Sequence, residues 1–257
     1  MFQSLDFNHT SSFNSDISCK LISTINDAID SRVQRDASTP HRRVFAPSSA
    51  FCDRKIWFRL RGVNPDTPTS ADYYGEFVKM IGDACHVYIQ SLLKETLKDD
   101  WIDVADYLAD LFFNNKLQYR YTAERDGLET HISIHTPPIC FSTDGIIRYR
   151  GKLYIIEIKS LEHSTFSEIF EPRAKDVSQT VSYQSLLYIE DVMYIYVDRL
   201  YGNIKCFEYH NGDISCDRVF EHCNTLMRMA NAKVAPSKCN IPSACNMCEY
   251  RKQCKEW

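Results

Sequence analysis

Residues 141–160 read FSTDGIIRYRGKLYIIEIKS, and their pattern decides the fold. Two apolar runs, at Ile146-Ile147 and from Leu153 to Ile158, flank Arg150-Gly151, which suits a two-residue hairpin turn. That turn sets the register: Tyr149 faces Lys152, and counting outward brings Asp144 opposite Glu157. Side chains alternate along a strand, so Glu157 and Lys159 share one face, with Cα atoms about 6–7 Å apart. A solvent-facing hairpin would carry such charges without cost. Here, however, Glu157 and Lys159 interrupt a run that reads as a buried central strand, where an unexplained charge is expensive. Two opposed carboxylates repel unless something neutralises them, and a divalent cation between them does so. Lys159 can then orient a water or stabilise charge developing on a phosphate.

Outward from this hairpin, Gln118–Thr122, His131–His135, Ile139–Tyr149 and Lys152–Lys159 read as a meander, with turns at Asp126-Gly127, Pro137-Pro138 and Arg150-Gly151. Upstream, Asp72–Leu97 has a long helical pattern that 101–113 continues. Residues 48–61, SSAFCDRKIWFRLR, predict a helix capped by Ser48 or Ser49, with Phe51, Ile56, Trp57 and Leu60 as its apolar stripe. A Pro/Thr linker spans 63–70. Downstream, 174–190 and 216–232 are helical, and 192–198 and 203–209 are strands. Residues 1–45 are polar, with a short helix around Leu21 to Val33, and form an extension to a single domain over 46–257.

The length of 257 residues leaves room for a substantial core, and 30 basic against 34 acidic residues exclude a polyelectrolyte that coats nucleic acid. Any contact with DNA must come from a local patch or a metal. No apolar run reaches the ~18–20 residues of a membrane span, and MFQSLDFNHT lacks the basic and apolar regions of an export signal. The expectation is a soluble, cytoplasmic protein. No G-x-x-x-x-G-K-[ST] phosphate loop occurs, so any unwinding of DNA belongs to a partner.

Eleven cysteines in such a chain argue for metal ligation together with buried thiols. Cys19, Cys85, Cys140, Cys206, Cys216 and Cys223 read as small buried hydrophobes. Cys245-x2-Cys248-x5-Cys254 supplies three close thiolates, and either the local Cys239 or the distant Cys52 completes a site. Zinc and a [4Fe-4S] cluster both accept four thiolates, but zinc ribbons usually present two C-x2-C pairs and this tail has one. Recruiting Cys52 would bring Arg54, Lys55, Arg59 and Arg61 beside Lys238, Arg251, Lys252 and Lys255, a basic surface suited to a DNA backbone. Ordinary solvated charges are the plainer alternative.

Asp144, a gap of twelve residues, and Glu157-Ile158-Lys159 together resemble the PD-(D/E)XK nuclease superfamily. Gly82-Asp83-Ala84-Cys85-His86 is similar to the helical G-x-x-x-H element of its RecB-like branch, and Gln179/Tyr183 and Gln184/Tyr188 both match Q-x-x-x-Y. The spacing to Tyr196-Val197-Asp198-Arg199 favours Gln179 and Tyr183. Cys52 with the tail triplet resembles the branch's iron–sulfur nucleases: CRISPR-adaptation exonucleases, the AddB nuclease and phage relatives. The resemblance implies an α/β restriction-endonuclease-like core, a mixed central sheet flanked by helices, with N- and C-terminal segments 48–61 and 236–257 joined at a cysteine cluster. It also implies Mg²⁺ or Mn²⁺ held by His86, Asp144, Glu157 and the Ile158 carbonyl. Lys159 would position a water, and Gln179 and Tyr183 would contact the phosphate or the lysine. A [4Fe-4S] cluster would sit on Cys52, Cys245, Cys248 and Cys254.

The expected function is a metal-dependent DNA exonuclease acting on single strands or DNA ends. Its setting would be phage or host replication and recombination, or CRISPR adaptation, beside a helicase or a recombination or adaptation partner. Two alternatives belong to other classes: a zinc-stabilised structural module, and a DNA-end-binding protein without catalysis.

Overall fold

A computed structural model describes residues 15–38, 43–66, 73–127, 129–239, 241–246 and 248–256. Residues 1–14, the linker beyond 66, Asp72 and the side chain of Cys19 lie outside the described residues.

Helices α1 (Ser15–Ser38), α2 (Asp53–Leu60) and α3 (Tyr73–Leu97) precede strand β1 (Trp101–Ile102) and α4 (Val104–Phe113). Strands β2 (Tyr121–Asp126), β3 (Glu129–Ile134), β4 (Ile139–Thr143), β5 (Gly145–Tyr149) and β6 (Lys152–Leu161) follow. Then come α5 (His163–Ser167), α6 (Ala174–Leu187), β7 (Asp191–Asp198), β8 (Ile204–His210), α7 (Cys216–Asn231), α8 (Pro242–Asn246) and α9 (Arg251–Glu256). The central sheet has the order β1-β5-β6-β7-β8 and is mixed: β6 and β7 are parallel, their neighbours antiparallel. A parallel pair needs a long crossover, and α5 and α6 supply it. The protein is thus α/β, with a mixed sheet flanked by helices. No described helix is long and apolar enough to cross a membrane.

Strand alternation distributes β6 and β7 between two cores. Ile155, Val192, Tyr194 and Tyr196 pack with Tyr183, Leu186 and Leu187 of α6 and with Cys223 and Leu226 of α7. Tyr154, Ile156, Ile158, Ile195 and Val197 pack with Ile89 of α3. Glu157 and Lys159 fall in step with Ile155, on the α6 face.

The hairpin register is the expected one from Tyr149↔Lys152 to Gly145↔Ile156, with Arg150 and Gly151 at φ 50° and 81°, but the ladder stops there and the expected Asp144–Glu157 pair does not form. Three further expectations need correction. The single strand over 139–149 is two strands, because β4 pairs with β3 in a separate sheet of order β2-β3-β4 and the chain changes sheets at Asp144. The helix over 101–113 starts only at Val104: Trp101-Ile102 pairs with β5, and Asp103 caps α4 by accepting from the amides of Ala105 and Asp106 at 2.9 and 3.1 Å. The helix expected from 48 begins at Asp53, after a 3-10 turn at Pro47–Ser49 and an extended Cys52 (φ −148°, ψ 100°).

Candidate active site

The break between the sheets builds the site. Gly145 has φ +151°, and a Cβ there would lie 2.4 Å from the Trp101 ring, so only glycine lets the chain turn under that indole. The turn frees Asp144 from the ladder. Its Oδ2 accepts from the Ile158 amide at 2.5 Å, so a carboxylate stands where a neighbouring strand's carbonyl would be. Helix α3 holds Asp144 from the other side. His86 Nδ1 meets Asp144 Oδ1 at 3.1 Å, and Gln90, one turn later and 1% exposed, donates to the Asp144 carbonyl at 2.9 Å. Gly82 faces Ser160 of β6, where a Cβ would lie 3.4 Å from the Ser160 Oγ, an ordinary contact distance.

On the α6 face, Glu157 is 2% exposed and forms a short ion pair with Lys159. Gln179 joins them: its Nε2 donates to Glu157 Oε1 at 3.0 Å and to the Tyr183 hydroxyl at 2.8 Å, while its Oε1 lies 3.5 Å from Lys159 Nζ. Tyr183 is fixed by stacking on Phe141, with ring centroids 5.5 Å apart. The N-terminus of α6 is locked by Asp176, which is 3% exposed and accepts from Arg173 and from the Tyr196 hydroxyl at 2.7 and 2.9 Å. Tyr196 therefore aims the helix that carries Gln179. The second Q-x-x-x-Y match is used elsewhere: Gln184, fully buried, donates to the Glu190 carbonyl, and Tyr188 ends α6 at φ 57°.

These groups line one open cleft of about 540 Å³, with His86, Asp144, Glu157, Lys159, Gln179 and Tyr183 among its walls. Ile158 presents its amide to the site, its side chain being fully buried. Two contributors escaped the sequence. Glu129, at the start of β3, brings its carboxylate to His86 and Asp144, the three donor atoms lying within 4.8 Å of one another. Nothing in the spacing of Glu129 announces this; it follows from how the second sheet leans on the first. Gln90 was foreshadowed only by its i+4 spacing from His86.

The electrostatics suit a bound cation. Burial pushes the Glu157 carboxyl up to about 7, against the opposing charge of Lys159. Burial also raises Glu129, and the Asp144 charge adds to it. Lys159 loses solvation, but the Glu157 and Asp144 charges outweigh that and raise it. His86 is likewise raised, burial being overcome by the hydrogen bond and charge of Asp144. Carboxylates gathered at this cost are stabilised by a divalent ion.

The chain is similar to solved structures. One is SSO0001, at 15% identity and TM-score 0.48, covering 88% of this chain and 94% of that one. Another is the alkaline exonuclease LHK-Exo from Laribacter hongkongensis, at 12% identity and TM-score 0.38, covering 76% and 89%. LHK-Exo in complex with dAMP gives 13% identity and TM-score 0.42, covering 76% and 91%. No protein-family profile and no curated protein matches the chain.

A second constellation lies at the far end of α2. Cys52, Cys239, Cys245, Cys248 and Cys254 line one cavity of about 330 Å³, so residue 52 and the tail do meet, and Cys239 meets them too. The Cys239 thiol lies 3.6 Å from the Phe51 carbonyl. Phe58 and Tyr250 wall the cavity, stacked at 5.1 Å, with Trp57 in the apolar cluster behind them. Burial pushes the Cys52 thiol up to about 11 and raises Cys245 and Cys248. Without a metal these are thiols; a thiophilic metal would convert them to thiolates.

The basic surface expected here is only half present. Lys55 and Arg59 reach the buried Glu249 at 3.5 and 3.9 Å, Arg61 lies over the Trp57 ring, and Arg54 is buried. Lys238, Arg251, Lys252 and Lys255 of the tail remain exposed. Of the cysteines expected in the core, Cys216 and Cys223 are buried, Cys85 and Cys140 are half-buried, and Cys206 is exposed. Cys206 differs because it alternates outward on β8, which is paired on one side only.

Proposed function

We propose that this chain is a metal-dependent deoxyribonuclease of the PD-(D/E)XK type, an exonuclease acting on single-stranded DNA or DNA ends. One observation carries the reading: an imidazole and two carboxylates converge beside a buried glutamate–lysine pair in an open cleft. Oxygen and imidazole donors at this separation fit Mg²⁺ or Mn²⁺. His86, Asp144, Glu157 and the Ile158 carbonyl would hold the ion, with Glu129 near enough to join them. When bound, the cation supplies Lewis acidity, polarising the phosphate and acidifying a water. Lys159, kept charged by its carboxylate neighbours, directs N–H groups at the attacking water or at the phosphate oxygens where charge develops. Gln179 fixes Lys159 and Glu157 relative to each other, and Tyr183 fixes Gln179. The acidic cleft repels a phosphate until a cation neutralises it, which makes cleavage strictly metal-dependent.

The cysteine cavity completes the proposal as a [4Fe-4S] site on Cys52, Cys245, Cys248 and Cys254, joining the two ends of the chain. Its support is a donor set of thiols alone within a rim that includes Arg54, Lys55, Lys238, Arg251 and Lys255, cations that offset the negative charge of a thiolate-bound centre. DNA is the partner, with unwinding left to a separate helicase.

The test is degradation of end-labelled single- and double-stranded DNA with Mg²⁺ or Mn²⁺. Asp144→Ala, Glu157→Ala and Lys159→Ala should each abolish cleavage while remaining folded. Gln179→Ala should lose about a hundredfold, the scale of one positioned donor. Gln184→Ala should keep its activity and instead lose about 1–3 kcal/mol of stability. Full activity in Glu157→Ala would sink the assignment; DNA binding without cleavage by the unaltered protein would make it an end-binding protein.

A further inference from the structure

Two residues beyond Cys52, Arg54 is only 6% exposed, and it belongs to the helix that forms one wall of the cysteine cavity. Its Nε and Nη2 both donate to the Pro236 carbonyl, at 2.8 and 2.5 Å. Its Nη1 points at Cys254 Sγ, 4.0 Å away. A guanidinium stays charged in any protein environment, and a carbonyl oxygen, being neutral, cannot cancel that charge. Among the described residues no carboxylate pairs with Arg54; the buried Glu249 pairs with Lys55 and Arg59 instead. A buried cation without an anion is strongly destabilising. The groups facing it that can become anions are the cavity's thiols.

We propose that Arg54 is the buried counter-ion of a thiolate-bound metal centre, donating to Cys254 Sγ and clamping the tail at Pro236. The inference rests on reading the cavity as a metal centre. It gives Arg54 a task distinct from binding DNA: its charge offsets the excess negative charge of metal plus thiolates, and its N–H tunes the sulfur. Hydrogen bonds to ligand sulfurs and net local charge are what a protein uses to set the potential of such a centre. Arg54 also couples α2 to the tail, because one side chain holds both Pro236, where the tail begins, and the last cysteine.

The experiment uses full-length protein purified without oxygen, as wild type, Arg54→Gln and Arg54→Lys, with iron, sulfide and zinc measured in each. Metal release to a chelator, followed by the thiolate-to-metal absorbance, should be several-fold faster from Arg54→Gln. The midpoint potential of an iron–sulfur centre should move to more negative values in that protein, since reduction adds charge that Arg54 no longer offsets. Arg54→Lys, which keeps the charge, should retain metal nearly as wild type does; release as fast as from Arg54→Gln would overturn the charge argument. Stripping the metal should lower the Tm of wild type more than that of Arg54→Gln, because only the stripped wild type is left with a buried guanidinium that has lost its anionic centre. Equal losses would count against the inference. A metal-bearing wild type matched by Arg54→Gln in release rate and potential overturns the counter-ion and leaves the metal centre standing. A wild type without metal at these thiols overturns both.

Discussion

Glu157 concentrates the cost of the site in one side chain. It would titrate near 4.5 in the unfolded chain, whereas burial pushes the folded carboxyl up to about 7. The metal-free folded state therefore binds this proton more tightly than the unfolded state does. The stabilisation is complete below about pH 4.5, declines as pH rises, and is gone above about 7, a difference on the order of 3 kcal/mol. Thermal unfolding of the metal-free protein between pH 4.5 and 7.5 should show this decline, and Glu157→Gln should make it shallower, the raised His86 and Glu129 supplying the remainder. Saturating Mn²⁺ should also flatten it, because the ion replaces the proton. A wild-type slope equal to that of Glu157→Gln would show that the carboxylate is already ionised throughout. Glu157 and Lys159 were legible in the sequence because they break an apolar run. Glu129 was not, since an acidic residue after a Gly-containing turn is ordinary until folding brings it to His86.

Among elements, the junction of β4 and β5 carries the geometry. Gly145→Ala demands a strained φ and drives a methyl into Trp101, which should cost about 2–4 kcal/mol in urea unfolding. It should also weaken Mn²⁺ binding by displacing Asp144. Removing the indole in a Gly145→Ala/Trp101→Ala protein should relieve the clash but not the backbone strain, so partial recovery of binding relative to Gly145→Ala is expected. No recovery would mean that the indole is not what confines the turn. The Arg150-Gly151 hairpin was readable from a two-residue turn and strand alternation, both local properties. The division of 139–149 between two sheets was not, because β-propensity is continuous across Asp144 and the break depends on Trp101, which lies more than forty residues upstream. The start of α2 was misjudged for a similar reason: Ser48 and Ser49 are good caps in isolation, yet the chain there serves as a 3-10 turn between β4 and the cysteine cavity.

For the whole molecule, the decisive feature is closure of the chain on itself. By the chain-entropy treatment of cross-links, a metal centre tying Cys52 to the tail would restrict the unfolded state by at most about 5 kcal/mol. Anaerobic protein should be brown, with about four iron and four sulfide per chain. Cys52→Ala should lose the metal, lower the Tm and expose the tail to proteolysis, whereas Cys239→Ala should be mild. The opposite pattern would make the site a local property of the tail. The sequence by itself determined the hairpin register, the Glu157–Lys159 face and the C-x2-C-x5-C triplet, all of which follow from turn chemistry and short-range periodicity. Only the tertiary structure decided that Glu129 belongs to the cleft and that the buried Gln90 anchors Asp144 behind it, that α2 turns its cations inward, and that five thiols rather than four share one cavity. Those outcomes depend on which distant surfaces pack together, and packing answers to shape and buried charge across the whole chain, which no local pattern encodes.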